Sequence, residues 1–175
     1  MKTPVLYTER LEFLPYRPAD EEAFVALLRD EAVCRWMGQE RVPEADIRAL
    51  FRSILTEVYP QRLFDVWGLW LDGTYVGHAE VKRTGNVDGH ELVTALAPGY
   101  WGKGLGSEAV RGMARHAADN LGLTEVYGML GAGNTASLAM CRKVGFRPLR
   151  EVVAEDGSVT LLIVLPVTRS GAEQR

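Results

Sequence analysis

Apolar positions along this chain switch between a period of two and the helical period, and the switches mark its elements. Leu6 to Leu14 alternates, with Leu6, Thr8, Arg10 and Glu12 against Leu11 and Phe13, and reads as one strand ended by Pro15 and Pro18. Asp20 is placed to cap a helix, with Glu21 and Glu22 in its first turn and Ala23, Phe24, Leu27 and Leu28 on one apolar face. A short helical patch, Ala32 to Met37, is expected to stop at Gly38. Pro43 suits the first turn of a third helix. Its stripe of Ile47, Leu50, Phe51, Ile54, Leu55 and Val58 should stop before Pro60.

Beyond residue 60 the period becomes two. Phe64 to Leu71, Tyr75 to Lys82 and His90 to Leu96 read as three strands of a meander, with a strong hairpin turn at Asp72-Gly73 and a second turn through Gly85, Asn86, Asp88 and Gly89. A helix follows, with Ala109, Val110, Met113, Ala114 and Ala117 inward and Asn120 and Gly122 closing it. Glu125 to Leu130 is the next strand, and the helical crossover before it allows a parallel pairing with the strand ending at Leu96. Gly131 and Gly133 break it, and Asn134 or Thr135 caps the last helix. Phe146 to Ala154 and Val159 to Val167 form a final hairpin around Asp156-Gly157-Ser158, and the polar tail from Thr168 to Arg175 is expected to fray. Consecutive hairpins followed by one strand–helix–strand unit predict a single mixed α/β domain over residues 6–167, its sheet mainly antiparallel with flanking helices. There is no internal repeat and no linker that would mark a second domain.

The stretch between the strand at 90–96 and the helix after it carries the chemistry. Gly102, Gly104 and Gly106 alternate there with Lys103 among them. Glycine lets the backbone take left-handed angles and approach a ligand closely, and the N–H groups of the helix start then favour an anion, most often phosphate. A P-loop fails, because Ala97 stands where its first glycine belongs and Gly104 where its Ser/Thr belongs. Gly104 to Ala109 does match the dinucleotide pattern G-x-G-x-x-[GA], but the acidic residue about 20 positions on, Glu125, opens a strand rather than ending one.

Trp101-Gly102-Lys103-Gly104-Leu105-Gly106 resembles the pyrophosphate loop of the GCN5-related N-acetyltransferases (GNAT), Gln/Arg-x-x-Gly-x-Gly/Ala, with Trp101 replacing the Gln/Arg. That replacement, Thr8-Glu9-Arg10-Leu11-Glu12-Phe13, and the stretches Asn134-Thr135-Ala136-Ser137 and Lys143-Val144-Gly145-Phe146 are similar to the branch that acetylates ribosomal-protein N-termini, the RimJ/RimL type. The likeness runs in the family's order over roughly residues 6 to 165.

The resemblance implies acetyl-CoA as cosubstrate, no metal, and a primary amine as acceptor, on a peptide N-terminus or a small molecule. It implies two parallel strands that splay, here Glu91 to Leu96 and Glu125 to Leu130, with the pantetheine arm bonded to main-chain groups among Val93, Ala95 and Leu96. The amides of Gly102, Lys103, Gly104, Leu105, Gly106 and Ser107, with Trp101 before them, would hold the pyrophosphate. Asn134 and Ser137 match cofactor-side polar residues, and Trp36, Met37 and Phe51 would shape the acceptor side. Glu91 matches the family's acidic residue on the entering strand and is the candidate general base; His78 and Glu80, on one face of the preceding strand, are the second candidate pair. His116 is expected at the surface. Cys141 stands where many members carry a tyrosine that protonates the leaving thiolate, which leaves the acid unassigned, with Tyr100 and Tyr127 as other candidates. A non-catalytic acyl-CoA-binding module and a nicotinamide-dependent oxidoreductase are the competing readings.

Composition narrows the partners. The chain has 175 residues, 47% of them hydrophobic, and a formal charge of -3. No excess of positive charge points to nucleic acid. No apolar run is long enough for a membrane span, and because no apolar stretch follows Met1-Lys2-Thr3-Pro4 a secretory leader is not expected. Cys34 and Cys141 lack metal-like spacing, so a reduced, cytoplasmic chain is expected. Oligomeric state stays open, a homodimer being unremarkable.

Overall fold

The computed structural model describes residues 3–37 and 40–171. One eight-stranded sheet organises it, with strand order β1-β2-β3-β4-β5-β6-β8-β7. The strands are β1 (Leu6–Tyr7), β2 (Leu11–Leu14), β3 (Asp65–Leu71), β4 (Thr74–Arg83), β5 (His90–Leu96), β6 (Glu125–Gly131), β7 (Arg147–Val153) and β8 (Val159–Pro166). Every neighbouring pair is antiparallel except β5 with β6. This is the mixed, mainly antiparallel sheet that the hairpin signals and the crossover predicted, with the splayed parallel pair that the family resemblance implied.

The helices divide between the two faces. On one side, α1 (Glu21–Arg29), α2 (Glu31–Trp36) and α3 (Glu44–Ser53) cover the sheet, with Phe24, Ile47, Phe51 and Ile54 packed on Val66 and Tyr16. On the other, α5 (Leu105–Asp119) lays Ala109, Val110, Met113, Ala114 and Ala117 against Trp67, Leu69, Ala79 and Val81. The last helix, α6 (Thr135–Val144), is capped by the Asn134 side chain, which accepts from the Ser137 N–H, and ends at Gly145 with φ 116°. Phe51 is therefore core, 1% exposed, and not an acceptor contact.

Four local readings are corrected. The expected first strand is folded back on itself: Leu6 pairs with Phe13, and Thr8 to Arg10 makes the turn, because the Glu108 carboxylate of α5 gathers that turn from 98 residues away. Asp20 does not cap α1; its carboxylate reaches back to the Arg17 N–H, at the start of a 3-10 turn over Pro18–Asp20. The third helix does not stop before Pro60. It widens into a π-helical turn at Ile54–Val58 and continues through α4 (Tyr59–Gln61), with the Tyr59 N–H bonded to the Ile54 carbonyl, so the N–H that Pro60 lacks falls where the register is already broken. His116 is buried, 3% exposed, because Asp65 accepts its Nε2–H at 2.8 Å while Asn120 bonds Nδ1 at 2.9 Å. The expected helix stop at Gly38 and the end of the tail, 172–175, lie outside the described residues.

Candidate active site

The parallel pair β5 and β6 is joined at one register only, Glu91 opposite Tyr127. Beyond it the strands diverge. Leu92, Val93 and Thr94 then face Gly128, Met129 and Leu130 across a cavity of about 260 Å³, roofed by Met140 and Cys141 of α6, Phe146, and Trp36 and Met37 at the end of α2. The β5 edge facing this gap has no ladder partner after Glu91. Buried main-chain groups without partners are costly, so such an edge suits a ligand that can add itself as a strand. Ala95 turns its side chain into the packing beneath Leu27 and Val33, so only its main chain is on offer. The Leu96 carbonyl is already taken: the Trp101 indole N–H donates to it at 2.7 Å.

The glycine stretch opens a second cavity, about 400 Å³, beside the first. Trp36, Thr94 and Met140 line both. Gly102 (φ 72°) and Gly104 (φ 78°) take the left-handed conformation, and Gly104 is the residue before α5. Gly106 is more telling. Its φ is ordinary and a Cβ there would meet only Leu96 Cδ1 at 3.8 Å and Met140 Cε at 3.9 Å, so neither backbone nor packing demands glycine. Gly106 lines the cavity, and the missing side chain is room for a ligand. Ser107 lines it too, whereas Leu105 is 1% exposed in the core. Lys103 points outward, its ammonium 5.4 Å from the centre of the Tyr100 ring. Trp101 stacks on Trp36 with ring centres 5.1 Å apart.

Glu91 lines the first cavity at the point of divergence and is 4% exposed. Its Oε1 has no hydrogen-bond partner, and its Oε2 is 3.4 Å from Asn86 Nδ2. Asn134 and Ser137 line the same cavity, and Asn134 Nδ2 also ties α6 to the Trp36 carbonyl at 3.0 Å. His78 and Glu80 do not line it. They belong to a buried chain under α1: the Tyr75 and Tyr16 hydroxyls at 3.0 Å, Tyr16 to His78 Nδ1 at 2.8 Å, and His78 Nε2 to Glu80 at 3.0 Å. Burial would raise the Glu80 carboxyl, but His78 and Lys82 outweigh it and bring it down to about 2. Burial pushes the Tyr16 hydroxyl well above the usual tyrosine range, with Tyr75 adding to the rise.

Of the candidate acids, Cys141 faces the cavity as a thiol pushed up to about 11 by burial. Tyr127 is spent on a short bond to the Glu125 carboxylate, which raises its hydroxyl. Tyr100 lines the glycine cavity, away from the divergence point. Met140, Phe146 and Asn86 border the two cavities or touch Glu91, and the sequence reading did not single them out for this. Met140 was within reach, lying three residues after Ser137 on one face of α6. Among the described residues no three His, Cys, Asp or Glu cluster to hold a metal, and no helix is long and apolar enough to cross a membrane.

A divergent parallel pair with a glycine-bounded cavity at its mouth matches the acyl-CoA N-acyltransferase fold. A family model described as an acetyltransferase (GNAT) domain matches residues 10–147, and the chain belongs to that family of acetyl-CoA-dependent acetyltransferases. It is 24% identical over 165 residues to an uncharacterised N-acetyltransferase, YoaA, of Bacillus subtilis (strain 168), covering 89% of this chain and 91% of the relative. It is 30% identical over 154 residues to the FsC-acetyl coenzyme A-N(2)-transacetylase of Aspergillus fumigatus, covering 81% of this chain but 64% of that longer protein. The fold matches RimL, a ribosomal alpha-N-protein acetyltransferase solved in complex with coenzyme A, with a TM-score of 0.79 at 12% identity over 95% of this chain and 100% of that one.

Proposed function

We propose that this protein transfers the acetyl group of acetyl-CoA directly to a primary amine, of a peptide N-terminus or a small molecule, with Glu91 as general base. The observation that carries this reading is the Glu91 carboxylate: buried, with one oxygen unpartnered, it lines the gap where β5 and β6 part. The motifs Thr8 to Phe13, Trp101 to Gly106 and Asn134 to Phe146 support a place in the RimJ/RimL-type branch.

In this reading the pyrophosphate lies against Gly102, Gly104, Gly106 and Ser107, and the pantetheine arm runs past Trp36 along the free edge of β5, bonding Val93 and its neighbours. Asn134 and Ser137 flank it from α6. The amine nitrogen attacks the thioester carbon from the Glu91 side. An aliphatic ammonium titrates at about 10, so at neutral pH the nucleophile is scarce until a base removes its proton. Glu91 first takes that proton, directly or through a water, and the neutral amine then forms the N–C bond while main-chain N–H groups of β5 polarise the carbonyl. The C–S bond breaks, and the nitrogen's second proton passes to the departing CoA thiolate or to water. A chain that only held acyl-CoA would bind it without releasing thiol. The test is free-thiol release from acetyl-CoA with a panel of amines: peptides with free N-termini, amino acids, polyamines and amine-bearing antibiotics. Release that depends on one amine class supports the proposal. Tight binding of acetyl-CoA with no release across the panel would favour the binding-module reading.

A further inference from the structure

The Thr8-Glu9-Arg10 turn touches no cavity of the cleft, yet it is bound tightly to the helix that opens at the glycine loop. Glu108, in the first turn of α5, accepts from the Thr8 hydroxyl at 2.6 Å, from the Arg10 N–H at 2.6 Å and from Arg10 Nε at 2.7 Å. Burial would raise the Glu108 carboxyl, but these donors outweigh it and hold it below the usual carboxylate range. The guanidinium so fixed donates once more, from Nη1 to the Lys103 carbonyl at 2.9 Å.

That last bond has a consequence across the peptide plane. In a trans peptide the C=O of one residue and the N–H of the next point in opposite directions. The Lys103 carbonyl is held toward Arg10, so the Gly104 N–H of the same plane is turned the other way. Gly104 lines the glycine cavity and Lys103 does not. A peptide between a lysine and a left-handed glycine is easily reversed, because glycine tolerates both signs of φ. Reversal would aim the Lys103 carbonyl, a partial negative charge, at the place where the pyrophosphate belongs.

We infer that Arg10, clamped by Glu108, is a positioning residue that locks the Lys103–Gly104 peptide with its N–H facing the cofactor phosphates. The inference rests on the proposed pyrophosphate site, which wild-type coenzyme A binding tests separately.

The experiment compares wild type, Arg10→Ala and Glu108→Gln by calorimetry and NMR titration, with two probes: coenzyme A, which has the pyrophosphate, and S-acetylpantetheine, which lacks it. Arg10 is partly exposed, 43% at its side chain, so its truncation should leave a folded chain. Losing a charge-assisted bond that orients a donor should weaken coenzyme A binding about tenfold to a hundredfold in Arg10→Ala. Glu108→Gln keeps the shape but weakens the clamp, and should show a smaller loss of the same kind. S-acetylpantetheine should bind all three equally. Unchanged coenzyme A affinity in Arg10→Ala would overturn the inference while leaving the proposed site intact. Equal losses for both probes would overturn it too, since a general structural defect does not distinguish phosphate from pantetheine. No coenzyme A binding by the wild type would instead remove the underlying reading.

Discussion

Replacing Glu91 with glutamine separates catalysis from folding in one step. The side chain is 4% exposed, one oxygen has no partner, the other has a long 3.4 Å contact with Asn86, and no ion pair among the described residues includes it. A buried carboxylate with so little compensation is a liability for folding, whereas an amide of the same shape carries no charge to desolvate. Glu91→Gln should therefore stabilise the protein, by about 1 kcal/mol, which for a chain of this size raises Tm by about 2–4 °C. The amide cannot accept a proton, so the acetyl-transfer rate at saturating amine should fall about 10²-fold or more. Coenzyme A affinity should barely change, because Gly102, Gly104, Gly106 and Ser107, proposed to hold the pyrophosphate, line the adjoining cavity and Glu91 does not. The assay pairs thiol release over a range of amine concentrations with a thermal melt followed by circular dichroism. Full rate at saturating amine would refute Glu91 as the base. A Tm lowered by several degrees would refute the argument differently, by showing that the carboxylate is held by contacts that matter to the fold.

Two other outcomes test the site and its surroundings. Gly104→Asp should sharply weaken coenzyme A binding by calorimetry, since it puts a carboxylate into the glycine cavity proposed to take the phosphates, and a melt must first confirm the fold because position 104 sits at φ 78°. Glu80, brought down to about 2 by His78 and Lys82, contributes stability that is complete above the unfolded carboxylate value of about 4.5 and lost as pH falls through 2; Glu80→Gln should flatten the acid limb of Tm against pH between those values.

The sequence carried local signals faithfully and long-range ones poorly. Asp72-Gly73 marked the β3–β4 hairpin, the alternating glycines marked the mouth of the cleft, and Asn134 marked the cap of α6, because in each case the cause lies within a few residues. The fold-back at Thr8–Arg10 did not show, since its cause is Glu108. His116 looked like a surface residue because its partner Asp65 is 51 positions away. The order of the site residues was readable, but the divergence of β5 from β6 came only from the family resemblance and not from the pattern of the strands themselves. The strands pair at a single register and then border a cavity that Trp36 and α6 also line, a tertiary arrangement that neither strand's own pattern of side chains reports.

The leaving group poses the remaining chemical question, and Cys141 answers it by its environment. The thiol lines the cavity where a proton donor would stand, and burial has pushed it up to about 11. A departing thiolate is the conjugate base of a thiol with a pKa of about 8.5. Moving a proton from Cys141 to that thiolate runs uphill by about 2.5 units, or about 3 kcal/mol, because it only shifts the negative charge onto the Cys141 sulfur in an apolar pocket. The transfer offers no gain over letting coenzyme A leave as the anion and take its proton from water. Cys141→Ala should accordingly keep kcat within about twofold of wild type, with KM for acetyl-CoA little changed. The same burial predicts slow alkylation of Cys141 by iodoacetamide at neutral pH, slowed further by bound acetyl-CoA. A tenfold or larger fall in kcat for Cys141→Ala, at unaltered Tm, would refute this and make the thiol the acid. Retained turnover would mean that the chemistry is concentrated on the amine side, where Glu91 stands, and that the cysteine only fills the space a tyrosine occupies in other members of the family.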